Sequence, residues 1–247
     1  MRMENAVTSA GIDGDSHSDE GPETTLSGRG YRLLREDILS GALRPGLKLK
    51  IDMLRDRYQI GAGPLREALS RLSGDHLVTL MGQRGFIVAH MSARDAREIG
   101  DMRKLLEAEG LARSIPQGDR AWEDRVITSY HRLERLECSA DQGLRQMPEW
   151  DVLNGAFHEA LVSAADSEWL ARLRSMMFRH HERYRRLSRI RTALTRDIHL
   201  EHRELMDAAL ERDVSRAVEV MRAHVQRTTD TVITAIDTME REPTEGT

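Results

Sequence analysis

The 247 residues hold a single cysteine, Cys138, which excludes an intrachain disulfide and any CxxC zinc or redox motif. Aromatic residues are also scarce: three Trp, three Phe and four Tyr make up 4% of the chain, which argues against a sheet-rich protein. No apolar run approaches the roughly 18 residues that a membrane helix needs, and the N-terminus lacks the apolar core of a signal peptide. The expectation is therefore a cytoplasmic globular protein without membrane contact. Against these shortages stand 32% charged and 39% hydrophobic residues, the balance of a mainly α-helical chain with one large domain or two modest ones.

The net charge of −4 is unevenly spread. Residues 1–25 carry one basic and six acidic residues, residues 26–90 carry eleven basic and six acidic, and residues 91–247 carry 25 basic and 29 acidic. A net of +5 between two acidic stretches points toward a polyanion partner, because Lys and Arg neutralise phosphates and release their counterions.

Residues 1–25 are polar, acidic and rich in Gly and Ser, the composition of a disordered arm. Tyr31, Leu34 and Ile38 then recur at helical spacing, and Gly41 ends that helix before a Pro45-Gly46 turn. Ile51, Leu54 and Tyr58 mark a second helix. Gly61-Ala62-Gly63-Pro64 leads into a third with Leu65, Leu69 and Leu72, Pro64 being tolerated in the first turn. Two short apolar runs, Leu77–Met81 and Phe86–Ala89, flank the polar turn Gly82-Gln83-Arg84-Gly85 and read as a β-hairpin. Three short helices followed by a hairpin is the winged helix-turn-helix layout, spanning residues 26–90. Residues 91–240 show only helical patterns, over about 92–114, 119–139, 147–166, 168–190, 193–211 and 213–239. Ser92, Asp119, Asp166 or Ser167, and Asp213 are the N-cap candidates. Residues 241–247 read as a flexible tail.

The run Ile38-Leu39-Ser40-Gly41, Arg44-Pro45-Gly46, Pro64-Leu65-Arg66-Glu67-Ala68-Leu69 and Arg84-Gly85-Phe86-Ile87-Val88 resembles the DNA-binding domain of GntR-type bacterial transcription regulators. Arg103 with Glu107, Phe157-His158-Glu159-Ala160-Leu161, Glu201-His202-Arg203-Glu204-Leu205 and Arg222-Ala223-His224 resemble the FCD effector domain of the family's FadR-like branch. The resemblance implies a winged helix-turn-helix followed by an all-helical, FCD-like bundle. It departs from many relatives at Gly61-Ala62-Gly63, which stands for Ser-Arg-Thr, and at Asp52, where several carry Arg.

The chemistry of the residues supports duplex DNA as partner. Arg66, expected in the first turn of the third helix, has the bidentate fork that reads guanine O6 and N7 in the major groove. Arg71 and Gly63 lie on the same helix. Gln83, Arg84 and Gly85 form a wing tip suited to a minor groove, where Arg meets negative potential. Lys48 and Lys50, with Arg29, Arg32 and Arg35, are candidate phosphate contacts.

In the second half, His158, His202 and His224 fall on the inward stripes of three separate helices. One inward histidine is ordinarily a hydrogen-bonded core residue, but three incur a desolvation cost that a shared ligand would offset. The resemblance implies a divalent metal held by Asp-x-x-x-His and two later histidines; the Asp position is Asn154 here, which brings a carbonyl oxygen and no charge. Asp151, one turn earlier, is a possible compensating ligand, and zinc or a similar first-row ion is the expected cofactor. Arg103, His181, Tyr184 and Arg185 are candidate effector contacts, since a buried arginine grips a carboxylate bidentately; for Arg103 a structural pair with Glu107 is the competing reading. His180, adjacent to His181 on a helix, is expected at the surface. The sequence thus describes a homodimeric transcription regulator, a repressor, with a small carboxylate controlling its affinity for a DNA operator. Two alternatives stand beside it: a sensor for which the metal is itself the signal, and a helical metallohydrolase, which lacks an evident general base and leaves the winged helix unexplained.

Overall fold

The computed structural model describes residues 25–82, 85–138, 148–191 and 197–241. The acidic arm up to residue 24, the wing-tip pair Gln83 and Arg84, the expected helical positions 193–196 and the tail from residue 242 lie outside the described residues.

Three helices come first: α1 (Leu26–Leu39), α2 (Ile51–Tyr58) and α3 (Ala62–Gly74). Leu34, Ile38, Leu54, Leu65, Leu69 and Leu72 converge from them into one dry core with Leu49, Val78 and Val88. Three short strands, β1 (Lys48–Leu49), β2 (Val78–Leu80) and β3 (Phe86–Val88), close that core as an antiparallel sheet in the order β1-β3-β2. The hairpin is the expected one. The strand β1 was not expected, although Leu47-Lys48-Leu49-Lys50 alternates apolar and basic residues at the strand period of two. Gly46 supplies the left-handed bend into it, at φ 78°. The third helix starts at Ala62 with Gly61 as N-cap, two residues before Pro64, so Arg66 is its fifth residue and sits beyond the first turn.

Six helices follow: α4 (Ala93–Gln117), α5 (Arg120–Glu137), α6 (Pro148–Val162), α7 (Glu168–Arg191), α8 (Ile198–Leu210) and α9 (Val214–Arg241). The cap reading holds in detail. Ser92, Asp119 and Asp213 each accept a backbone N–H three residues on, and Ser167 rather than Asp166 does so for α7. The main core lies between α4, α5, α6, α8 and α9, around Leu111, Trp122, Tyr130, Phe157, Leu161, Leu205 and Met221. A smaller cluster of Ala96, Tyr184, Val232 and Ile236 joins α4, α7 and α9 near the first three helices. Among the described residues no helix is long and apolar enough to cross a membrane.

The helices α4 and α9 pack along each other at a close approach built on Gly100, where an added Cβ would overlap the Thr229 hydroxyl and lie 3.0 Å from its Cγ2. Thr229 is β-branched and its hydroxyl is bonded to the Val225 carbonyl, so it has no free rotamer to retreat into. Gly100→Ala is therefore expected to destabilise by about 1–3 kcal/mol from overpacking, despite the better helix propensity of Ala. Adding Thr229→Ala should recover most of the loss, which the urea midpoints of the single and double variants would show.

Candidate metal centre and DNA-binding face

Three imidazoles meet in the bundle. His158 comes from α6, His202 from α8 and His224 from α9, and their exposures are 1%, 0% and 7%. The ring centroids are 5.0–5.5 Å apart, and one nitrogen from each lies within 4.8 Å of the others.

Carboxylates behind two of the rings decide which nitrogen faces inward. His202 Nδ1 is 3.0 Å from Glu137 Oε1, and His224 Nδ1 is 2.9 Å from Glu201 Oε2. An ionised carboxylate only accepts, so each Nδ1 carries the proton of that hydrogen bond and Nε2 is the nitrogen on the opposite side of the ring. Glu137 is itself fixed by Trp150 Nε1 at 3.0 Å and Glu201 by Arg227 Nε at 2.8 Å. This arrangement of carboxylate behind histidine raises ligand basicity and fixes ring orientation at metal sites. Both His158 nitrogens and His202 Nε2 are buried without a hydrogen-bond partner among the described residues, as are both amide atoms of Asn154. Burial, reinforced by His224, His202, Arg103 and Arg185, pushes the His158 pKa well below the ordinary histidine value. It is a neutral donor at pH 7. The unpartnered nitrogens of His158 and His202, with the His224 ring beside them, fit a divalent cation of the zinc type.

Asn154 lies one turn before His158 on the same face of α6 and is 1% exposed. Asp151 does not serve as a substitute ligand: its carboxylate pairs with Arg186 Nε at 2.8 Å, because α7 passes there with a charge that needs a partner.

A second group adjoins the histidines. Arg103 and Arg185 lie against the Phe178 ring, their guanidinium carbons 4.9 and 4.6 Å from its centroid, and Phe178 in turn touches His158. Arg103 donates to His181 Nδ1 at 2.8 Å and to Glu107 Oε1 at 3.0 Å. Arg103 is thus in the structural pair with Glu107 and also lies beside the Phe178 ring that touches His158. Burial, with Arg103 and Arg185 next, keeps His181 far below its ordinary pKa and so neutral. Tyr184, also buried, turns away toward Asp95 and the Ser92 amide. His180 is half-buried rather than on the surface, its ring tilted against that of His76 with centroids 5.1 Å apart, where the bundle meets the first three helices.

The carboxylate of Glu107 is shared. Its other oxygen accepts from Arg174 Nε at 2.7 Å, and Arg174 also reaches Glu159 at 2.6 Å and the His158 carbonyl at 3.0 Å. Burial would raise the Glu107 pKa, but Arg174 and Arg103 outweigh it and hold the group ionised. Arg174, Glu137 and Glu201 escaped the sequence reading. The signal existed for two of them: Glu137 continues the stripe Trp122–Val126–Tyr130–Leu133 on α5, and Arg174 precedes Phe178, His181 and Arg185 on one face of α7.

In the first part of the chain, Arg29 of α1, Lys48 of β1, Lys50 just before α2, and Gly63 and Arg66 of α3 are all exposed. Arg71 is exposed too, but its guanidinium lies 4.4 Å from the Tyr31 ring centroid. Arg35 is withdrawn from the phosphate set by a 2.7 Å ion pair with Glu182 of α7. Gly82 and Gly85 have φ of 56° and 93°, and the Met81 amide bonds the Gly85 carbonyl to close the hairpin. Asp52 is almost fully exposed in the first turn of α2, where its charge favours the helix dipole.

Family models match the chain in two places: that for bacterial regulatory proteins of the gntR family over residues 26–88, and the FCD domain over residues 98–227. The chain belongs to the GntR family and carries an FCD domain. It is 42% identical over 197 residues to the HTH-type transcriptional regulator BphR of Paraburkholderia xenovorans, covering 79% of this chain and 80% of that one. It is 40% identical over 207 residues to the HTH-type transcriptional repressor GlaR of Escherichia coli, covering 82% and 93%. A crystal structure of a GntR-family transcriptional regulator from Pseudomonas syringae, 26% identical, superposes with a TM-score of 0.53 over 89% of this chain and 90% of that one. The helix-turn-helix and FCD domain make this GntR chain a transcription regulator with a buried histidine cluster able to chelate a metal, and not a metallohydrolase.

Glu107→Gln would leave Arg103 and Arg174, each 3% exposed at the side chain, facing a neutral amide. The expected loss is about 3–5 kcal/mol, the cost of breaking a buried pair from one side. Glu159→Gln, at the 57% exposed end of the same network, should cost at most about 1 kcal/mol. Chemical denaturation of the two variants side by side tests the contrast.

Proposed function

We propose that this GntR chain is a homodimeric repressor whose grip on a pseudo-palindromic operator responds to a divalent ion, zinc or a close relative, held by His158, His202, His224 and Asn154. The observation that carries the reading is the convergence of three buried histidines, with unpartnered atoms on His158, His202 and Asn154 and with Glu137 and Glu201 behind His202 and His224. Bound there, the ion would add positive charge and open coordination positions beside Phe178. The repressor role draws on the likeness to GlaR. Symmetric half-sites call for a symmetric protein, hence the dimer.

In the DNA-binding role, Arg66 reads bases, with Gly63 allowing close approach; Arg71, Lys48 and Lys50 hold phosphates, and Gln83, Arg84 and Gly85 enter the minor groove. A second reading adds an organic signal. Arg103 and Arg185 flank Phe178 beside the histidines, and with His181 they would receive a small carboxylate that also meets the ion; Tyr184, held by Asp95, would not take part. Linkage then requires DNA and acid to weaken each other's binding by one factor.

Operator fragments selected from genomic DNA by the purified chain provide the assay. Chelation should lower the melting temperature, because the ion binds the folded state, and should change operator affinity reversibly. His224→Ala should neither hold the metal nor respond to it, and Asn154→Asp should tighten the metal by adding charge. Operator affinity that ignores the metal but yields to an organic acid would replace the first reading by the second.

Arg66→Ala is expected to cost about 1–3 kcal/mol of operator binding and to relax sequence preference. Lys48→Ala should weaken all sequences alike and lower the salt slope. Binding-site selection at two salt concentrations distinguishes the two effects.

A further inference from the structure

We propose that Glu134, Cys138 and His199 form a second metal site, separate from the three-histidine cluster and suited to a thiophilic divalent ion of the zinc type. One ligand atom from each of the three residues lies within 4.8 Å of the other two. Glu134 and Cys138 are one turn apart at the end of α5, where the Cys138 amide still bonds the Glu134 carbonyl in helical geometry, so both side chains leave the same face. His199 comes from the first turn of α8, with Nε2 3.9 Å from Glu134 Oε1. Its Nδ1 is buried without a hydrogen-bond partner among the described residues.

The surroundings hold the Glu134 carboxylate and the His199 ring in place. Tyr130 OH donates to Glu134 Oε1 at 3.1 Å, and His131 Nδ1 meets Oε2 at 2.8 Å. The Tyr130 ring lies nearly parallel to that of His199, which fixes the imidazole plane. Cys138 is exposed, so an ion can enter from solvent and its last coordination position can be taken by water.

The donor set differs in kind from that of the histidine cluster. A thiolate and a carboxylate together bring two negative charges, which neutralise a divalent ion, and the sulfur selects for zinc-like softness. Three imidazoles and an amide bring no charge. An ion at the second site would also tie the end of α5 to the start of α8. That junction holds Glu137 against His202, since Cys138 follows Glu137 and His199 precedes His202 by one turn.

Cobalt(II) titrated into the full-length, reduced, metal-stripped chain tests the assignment, because a thiolate ligand gives a charge-transfer band in the near ultraviolet and imidazoles do not. The expected result is two equivalents of cobalt per chain, one of them generating the band. Cys138→Ser should abolish the band and leave one equivalent, and His199→Ala and Glu134→Gln should weaken it; circular dichroism checks that each variant stays folded. A band absent from the wild type, retained in Cys138→Ser, or unchanged in both other variants would overturn the proposal. Failure of the three-histidine site would remove the other equivalent and spare the band, so the two outcomes are distinguishable.

Discussion

A charge buried in a helical bundle must find its opposite there, and in this protein that demand is concentrated on Glu107. Its two oxygens bind Arg103 of its own helix and Arg174 of α7. With no water to screen them, these ionic hydrogen bonds work at short range and in fixed directions. Arg174 then carries the constraint to α6 through the His158 carbonyl, while Arg103 carries it to His181. One carboxylate thus sets the relative positions of α4, α6 and α7, and through them the ring of His158. Without it, the histidine cluster would have the right residues and no fixed geometry.

The helix α7 extends the same network to the DNA-binding part. Within about one turn, Glu182 meets Arg35 of α1, Arg183 donates to the Ala89 carbonyl just past the wing, and Arg186 joins Glu36 of α1 to Asp151 of α6. His181 and Arg185, on the intervening positions, face Arg103 and Phe178. A single rigid element therefore touches the histidine cavity on one face and the first three helices on the other. A shift of α7 by a fraction of an ångström at Phe178 has no soft joint in which to dissipate, because packed helices respond as bodies. On the proposed reading, this is the route by which occupancy in the bundle would bias the placement of the DNA-reading helix.

Much of the fold was readable from the residues because it rests on local rules. Period, caps and turn glycines are properties of neighbours along the chain, and Ser92, Asp119, Ser167 and Asp213 cap the helices they precede. The three histidines were legible for the same reason: each sits on an inward stripe of its own helix. What stayed hidden depends on pairing between distant segments. Asp151 is sequentially placed to replace the missing acidic ligand, but Arg186, 35 positions away, claims it. Arg35 looks like a phosphate contact until Glu182 is seen beside it. β1 is two residues long, too short for its alternation to stand out until β3 supplies its partner.

Asn154 brings these observations to bear on the chemistry of the cluster. With Asp at that position, one negative charge would touch a bound cation directly; with Asn, no carboxylate does, and the cation's charge is balanced one layer out. Glu137 and Glu201 hold that layer, each against a histidine Nδ1 and each braced by a second donor. The balance is weaker because it acts through an imidazole, so on the proposed reading the ion is held less tightly than a permanent structural metal. A regulator benefits from that. Its site must lose and regain its ligand as concentration changes, and an affinity too high to release the ion would leave the protein locked in one state. The Asp-to-Asn departure is thus physically of a piece with the rest of the site: the fold spends its buried carboxylates on orienting the histidines and leaves the first layer uncharged.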